Sequence, residues 1–316
     1  MRILVTGGSG FIGSNFVVKS ILSNGDEVTN VDKMTYASNP FYLKEVQERK
    51  EYKFIRDDIN NISAHSGELR DIDTIVNFAA ESHVDNSIKN AEEFIKSNVM
   101  GTFKLLEFAR THDLRFHQIS TDEVYGTLPD NSAEKFTLES RYNPKNPYSA
   151  SKASADFLVR SFQNTYDLRT TISNCSNNYG PHQHREKLIP NSIFSILNGK
   201  KVSVYGDGNQ VRDWIHVEDH CDAVRTLLEG GVIGQTYLIG SNGERSNLEV
   251  VREILKLMNR GEELIEYVTD RPGHDRHYAI DPSSIMSLGW RPHHDFSSGL
   301  KDTVEHYLKY GKKYGF

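Results

Sequence analysis

Ile3-Leu4-Val5-Thr6-Gly7-Gly8-Ser9-Gly10-Phe11-Ile12-Gly13 runs from a short β-rich stretch through clustered glycines into an apolar helical pattern. The glycines satisfy both the Gly-x-Gly-x-x-Gly and the Gly-x-x-Gly-x-x-Gly spacings. Such glycines let the backbone turn tightly and approach a pyrophosphate, while the following helix N-terminus offers free amides and a positive dipole end. The motif alone is a weak signal, but a second β-rich run, Val28 to Asp32, ends in an acid about 20 residues on, where a ribose partner is expected. A carboxylate at Asp32 would bond the adenosine ribose hydroxyls and repel a 2′-phosphate, which favours NAD over NADP; the plainer alternative is a strand-end cap. Asp57-Asp58-Ile59, closing a third run, is a weaker candidate for adenine contact.

Outward from this stretch, β-rich runs at Ile3 to Thr6, Glu27 to Val31, Lys53 to Ile55, Thr74 to Phe78, His117 to Ser120 and Thr170 to Ser173 alternate with longer helical patterns. The helical segments are Phe11 to Leu22, Ala91 to Thr111 and Ser149 to Tyr166. This alternation predicts an α/β fold, a doubly wound parallel sheet of the Rossmann type covered by helices. Beyond Asn174 the pattern loosens into turn signals at 177–181, 205–208 and 271–273, predicting a smaller mixed α/β substrate lobe. The expected division is an NAD-binding lobe over 1–174, joined by part of 208–240, with 175–316 mainly substrate-binding.

A chain of 316 residues suits two lobes sharing an interface. No run approaches the roughly 18 apolar residues of a membrane span, and the first apolar stretch is cut off by glycines, so it reads as a strand and not a signal. Cys175 and Cys221 are too few for a disulfide framework, which fits a reducing cytoplasm. A net charge of -6 gives no reason to expect nucleic acid. An anionic small substrate needs only local cations, for which Lys187, Arg212, Arg271 and Arg276 are candidates if they are not simply solvated charges.

Tyr148-Ser149-Ala150-Ser151-Lys152 sets a phenol and an ammonium four residues apart, on one helix face. The cation is expected to lower the phenol's pKa, so that a tyrosinate removes an alcohol proton as hydride leaves for nicotinamide. A lone Tyr-x-x-x-Lys is usually an ordinary helix pair; behind a dinucleotide fingerprint it becomes a catalytic candidate. With the glycine loop it resembles the extended short-chain dehydrogenase/reductase family over nearly the whole chain. Ser120-Thr121-Asp122-Glu123-Val124-Tyr125-Gly126 resembles, within that family, the nucleotide-sugar 4,6-dehydratases more than the epimerases, which generally lack the Asp-Glu pair.

Adjacent carboxyls at a strand's C-terminal end lie in the crevice where ligands bind in such sheets. Once carbon 4 of a hexose is a ketone, the carbon 5 proton is acidic: a carboxylate can take it while a carboxylic acid protonates the departing 6-hydroxyl. The resemblance implies Asp122 as that acid, Glu123 as the carbon 5 base, Tyr148 as the base at the 4-hydroxyl with Thr121 bonding there, and Lys152 as Tyr148's partner. It also implies a cofactor surface of Gly7, Gly10, Phe11, Ile12, Gly13, Asp32, Asp58, Ile59, Ala79, Ala80, Ser82, Asn98, Ser120, Tyr148, Lys152 and Asn178.

Four further segments resemble the dehydratases that act on dTDP-glucose: 80–85, 174–181, 186–190 and 271–276. They imply substrate contacts at Ser82, Thr121, Asn177, Lys187, Leu188, Tyr205, Arg212, Asn247, Arg271 and His274, the arginines suiting a diphosphate. Plainer roles compete: Asn177 and Asn178 as turn residues, Tyr205 as lobe packing, Arg212 bridged to Asp213 or Glu218. His182-Gln183-His184 reads as a polar lid and not a metal site, and no metal is expected. This loop departs from the family pattern, which has an aromatic near His182 and an aromatic-Pro pair at 184–185, and the stretch after Gly126 is short. The implied partner is dTDP-glucose or a close nucleotide sugar. Competing readings are a UDP- or CDP-sugar dehydratase, a 4-epimerase, and a non-catalytic NAD-binding regulator; a homodimer would pair through Ala91 to Arg110 and Ala153 to Gln163.

Overall fold

The computed structural model describes residues 1–129, 132–270 and 274–314. The first part of the chain builds β1 (Arg2–Thr6), α1 (Phe11–Leu22), β2 (Glu27–Val31), β3 (Tyr52–Ile55), β4 (Thr74–Asn77), α2 (Val84–Lys89), α3 (Ala91–Phe94), α4 (Gly101–Thr111), β5 (Arg115–Thr121), α5 (Pro147–Tyr166) and β6 (Thr170–Cys175). The remainder builds β7 (Asn177–Tyr179), α6 (Leu188–Leu197), β8 (Val202–Tyr205), β9 (Val211–His216), α7 (Val217–Gly230), β10 (Thr236–Ile239), β11 (Glu244–Ser246), α8 (Asn247–Leu257), β12 (Ile265–Val268), α9 (Ser283–Met286) and α10 (Phe296–Tyr310).

Seven strands form one parallel sheet in the order β10-β6-β5-β4-β1-β2-β3. Its central strands are buried on both faces because helices cover both. Successive side chains alternate: Leu4 and Ile75 pack with Leu105, Phe108 and Val159 of α4 and α5, whereas Ile3, Val5 and Val76 pack with Phe16 and Val17 of α1 and Val217 and Val224 of α7. Residues 217–239, although late in the chain, thus complete the first lobe: α7 lies on α1, and β10 pairs with β6. The second lobe holds a mixed β11-β9-β7 sheet and a β12-β8 pair around Ile193, Val204, Trp214, Ile254 and Leu300.

The helix predicted over 91–111 is interrupted by a π-turn, Ile95–Met100, between α3 and α4. The wider turn carries Asn98, whose amide clamps Glu81 and Ser151, and it ends at Gly101, where a Cβ would lie 2.4 Å from Ile59 Cδ1. Helix α5 begins two residues earlier than predicted, because Asn146 and Ser149 form a capping box and Pro147 occupies the first turn.

At Gly13 a Cβ would stand 2.3 Å from the Gly7 carbonyl oxygen and 2.9 Å from Gly8 Cα, whereas at Gly10 the nearest atom is 3.4 Å away. Gly13→Ala is therefore expected to destabilise the fold by about 1–3 kcal/mol in chemical denaturation. Gly10→Ala, whose added Cβ meets nothing nearer than 3.4 Å, is expected to keep near wild-type stability. Equal stability of the two variants would contradict this division.

Candidate active site

A single crevice opens over the C-terminal ends of β1, β4, β5 and β6. Gly7, at φ +70°, turns the chain so closely that a Cβ would sit 2.7 Å from the Ala79 backbone. Its amide donates to Val31 O at 2.9 Å, tying the turn to β2. Asp32 closes β2, its carboxylate accepting from Ser9 N at 3.0 Å, Met34 N at 2.8 Å and Ser38 Oγ at 3.0 Å. It caps the strand end and also lines the crevice.

Asp58 accepts from Asn60 N at 2.9 Å and faces Lys33 Nζ at 3.6 Å. Of the implied cofactor residues, all except Asn98 line this crevice. Asn98 stands behind the wall, with its carbonyl on Glu81 N at 2.9 Å and its amide on Glu81 O and Ser151 Oγ. It shapes the surface from the rear. Asn178 bonds Ser176 O and the buried His220.

At the end of β5 the two adjacent acids meet different surroundings. Asp122 is buried, one oxygen accepting from Thr121 Oγ1 at 3.3 Å and the other without a partner. Burial, then the charges of Glu123 and Asp213, push its pKa well above the ordinary carboxylate range. Glu123 is half-buried, and its amide donates to Thr121 Oγ1 at 3.3 Å. One carboxyl is thus built to hold a proton while its neighbour keeps partial solvent access.

Tyr148 and Lys152 face the crevice from α5. The expectation that Lys152 lowers the Tyr148 pKa needs correction: burial, then Glu123 and Cys175, push the phenol well above its usual value, and the Thr121 hydroxyl acts in the opposite sense. The Lys152 ammonium turns to the Ile119 carbonyl at 2.6 Å. Burial lowers the ammonium's own pKa, with Asp156 and then Cys175 opposing.

Of the residues implied for substrate contact, Ser82, Thr121, Asn177 and Lys187 line the same crevice, with Lys187 Nζ donating to Ser82 O at 3.0 Å. Leu188 opens α6 and packs into the second core instead of lining it. Arg212 is buried, donating to Val211 O at 2.7 Å and Asp275 O at 2.8 Å, and its guanidinium lies 4.3 Å from the centre of the Tyr278 ring. The bridge to Asp213 considered from sequence is replaced by backbone contacts, since Asp213 accepts from Gly243 N at 2.8 Å. Tyr205 and His274 pair with ring centres 6.2 Å apart; Gln210 ties Tyr205 O to Asp270, which bonds His274 Nδ1 at 2.6 Å. Asn247 joins that group through its amide on Gln210 O at 3.0 Å. Arg271 lies outside the described residues.

The expected polar lid divides in two. His182 stacks on Tyr42 at 4.3 Å and meets Ser14 Oγ at 3.0 Å, and burial pushes its pKa down to about 3, so this imidazole is a neutral aromatic anchor. His184 lines the crevice beside Tyr36 and Glu186. Sequence reasoning missed Cys175, Tyr278 and Asp156, buried groups whose relevance comes only from distant elements meeting. Among the described residues one group, His216, Glu218 and His294, brings potential metal-ligand atoms within 4.8 Å of one another. It lies outside the crevice, at the N-terminal end of α7, where the dipole opposes a cation.

Residues 4–303 match the family model described as GDP-mannose 4,6 dehydratase. The chain is 50% identical over 310 residues to dTDP-glucose 4,6-dehydratase of Mycobacterium tuberculosis, covering 97% of this chain and 93% of that protein. Among solved structures it resembles DesIV, a dTDP-glucose 4,6-dehydratase from Streptomyces venezuelae with NAD and TYD bound, at a TM-score of 0.95 and 41% identity, covering 99% and 98% of the two chains. The dTDP-glucose 4,6-dehydratase of Bacillus anthracis in complex with NAD follows at 0.92 and 43%, covering 100% and 99%.

Because Asp122 has its folded pKa raised above the unfolded value, its contribution to stability is full below about pH 4 and is lost as pH rises through the folded pKa. Asp122→Asn is therefore expected to gain stability relative to wild type as pH rises above about 4, by up to about 1.4 kcal/mol per pH unit until the folded carboxyl ionises, in parallel denaturation curves. A pH-independent difference would refute the buried-acid assignment.

Proposed function

From the membership of this chain in the GDP-mannose 4,6 dehydratase family, of extended short-chain dehydrogenase/reductase type, we propose how its crevice performs the dTDP-glucose 4,6-dehydratase reaction. The enzyme is an NAD-dependent hydro-lyase. Carbon 4 of the nucleotide-linked glucose is oxidised to a ketone, water leaves across carbons 5 and 6, and then hydride returns to carbon 6 as a proton returns to carbon 5, giving the 4-keto-6-deoxy sugar with no net redox change. The Gly7 and Gly13 cradle, which any Cβ would fill, and Asp32 on its wall fit a dinucleotide. Held there, NAD would supply the hydride acceptor and donor of this cycle.

Tyr148 takes the proton of the 4-hydroxyl while Thr121 bonds the same oxygen. Glu123 removes the carbon 5 proton, and Asp122 protonates the departing 6-hydroxyl. The single observation that carries this assignment is the buried Asp122 carboxyl beside the half-buried Glu123, because epimerisation at carbon 4 needs no acid at the 6-hydroxyl. Lys187, Arg212 and the Tyr205, Asn247 and His274 group supply donors toward the diphosphate and nucleoside.

Residues 1–174 with 217–239 serve as the cofactor lobe and the rest mainly holds the sugar nucleotide. No helix among the described residues is long and apolar enough to cross a membrane, and both cysteines are free, in keeping with a cytoplasmic enzyme. Exposed Ile95, Met100 and Phe157 on the α3 to α5 face support a homodimer paired there.

Incubation with NAD and dTDP-glucose is expected to remove one water from the substrate without accumulating NADH, faster than with UDP- or CDP-glucose. Conversion to the galactose configuration would indicate an epimerase; no turnover despite NAD binding would indicate a regulator. Tyr148→Phe should lower kcat by about 10²–10⁴ with no reduced cofactor formed. Asp122→Asn, blocked later, should accumulate NADH in a single turnover.

A further inference from the structure

Helix α5 presents Tyr148, Lys152 and Asp156 at successive i, i+4 positions, all three buried. Only the first two have a role in the reaction so far. One oxygen of Asp156 accepts three hydrogen bonds, from Ser120 Oγ at 2.8 Å, Tyr142 Oη at 3.0 Å and Asn174 Nδ2 at 3.2 Å, while the other oxygen has no partner. Ser120 immediately precedes Thr121-Asp122-Glu123, and Asn174 Nδ2 also reaches the Thr121 carbonyl at 3.2 Å. Asp156 thereby ties α5, which carries the tyrosine and lysine, to the ends of β5 and β6, which carry the acids.

We propose that Asp156 is a positioning residue, whose buried carboxylate keeps the Lys152 ammonium charged and fixes α5 against the β5 end during turnover. This rests on the reading of Tyr148 and Lys152 as the catalytic pair. The charge argument follows from what surrounds the ammonium. Its bonded partner is the neutral Ile119 carbonyl, and burial disfavours its charged form. Asp156 on the same helix opposes that effect first, and Cys175 on β6 second. Cys175 is held as a thiol, pushed up to about 12, which leaves Asp156 as the carboxyl beside the ammonium; burial raises its own pKa, and Lys152 first, then the hydrogen bonds from Ser120 and Tyr142, act to keep it ionised. Around Asp156 itself stand Lys152 and Arg160 on α5 and Tyr142 in the preceding loop; Arg160 bonds Tyr142 Oη at 2.9 Å and steadies that donor.

The test is the pH dependence of kcat for Asp156→Asn and for Tyr142→Phe, each with melting temperature recorded, beside Lys152→Ala as a reference. Asp156→Asn keeps shape and acceptor capacity but removes the charge. Its alkaline limb is expected to move down by on the order of one pH unit, with a smaller decrease of kcat at the optimum. Tyr142→Phe removes one donor, leaves less of Asp156 ionised, and should move the limb in the same direction by less. An unmoved limb in both variants, with Lys152→Ala inactive, overturns the proposal alone. If Asp156→Asn does not fold, the limb of Tyr142→Phe decides by itself. Full activity of Lys152→Ala would overturn the underlying catalytic reading instead.

Discussion

The contact between Gly13 and the Gly7 carbonyl is the constraint on which the rest of the site depends. With 2.3 Å between that oxygen and the place a Cβ would occupy, α1 can press its N-terminus against the end of β1 only because position 13 has no side chain. This approach sets the loop, the loop sets Ser9 against Asp32, and the helix so placed receives α7 across its outer face. The crevice is what remains above these packed ends, as the topology of an open parallel sheet requires.

Much of this was legible because the signals were local. The glycine spacing, Asp32 at the end of the second strand, and Tyr148 and Lys152 one helical turn apart are each read within a few residues, and the structure brings them to one crevice. What escaped notice depends on contacts between elements far apart in the chain. Asp156 looks like an ordinary polar helix residue until Ser120, Tyr142 and Asn174 converge on it. His182 looked like part of a polar lid, but Tyr42, some 140 positions earlier, takes its ring face. The π-turn at Ile95–Met100 leaves no mark in apolar periodicity, and the Asn98 clamp it carries reaches Glu81 and Ser151, far away in the chain.

The same separation explains the electrostatics. Sequence placed two acids side by side and a cation near a phenol, and simple proximity suggested that the cation would dominate. Burial outweighs it at Tyr148 and Lys152, whose pKa values are pushed up and down respectively, toward their neutral forms. The two acids, alike in sequence, differ because the 3₁₀ turn Asp122–Tyr125 turns the first inward and leaves the second half-open.

The closing of the sheet by β10 has a consequence for biosynthesis. β6 ends at residue 175, yet its outer partner begins at residue 236, and α7 must pack on α1 between them. A nascent chain that has made only its first six main-sheet strands therefore presents β6, buried on every residue in the finished protein, as an open edge with half of one helix layer missing. The lobe built on the seven-stranded sheet is not a unit that can finish folding on the ribosome before the second lobe follows. The cell must shelter this edge until roughly three quarters of the chain has emerged, which makes the interval between β6 and β10 the stage most exposed to aggregation.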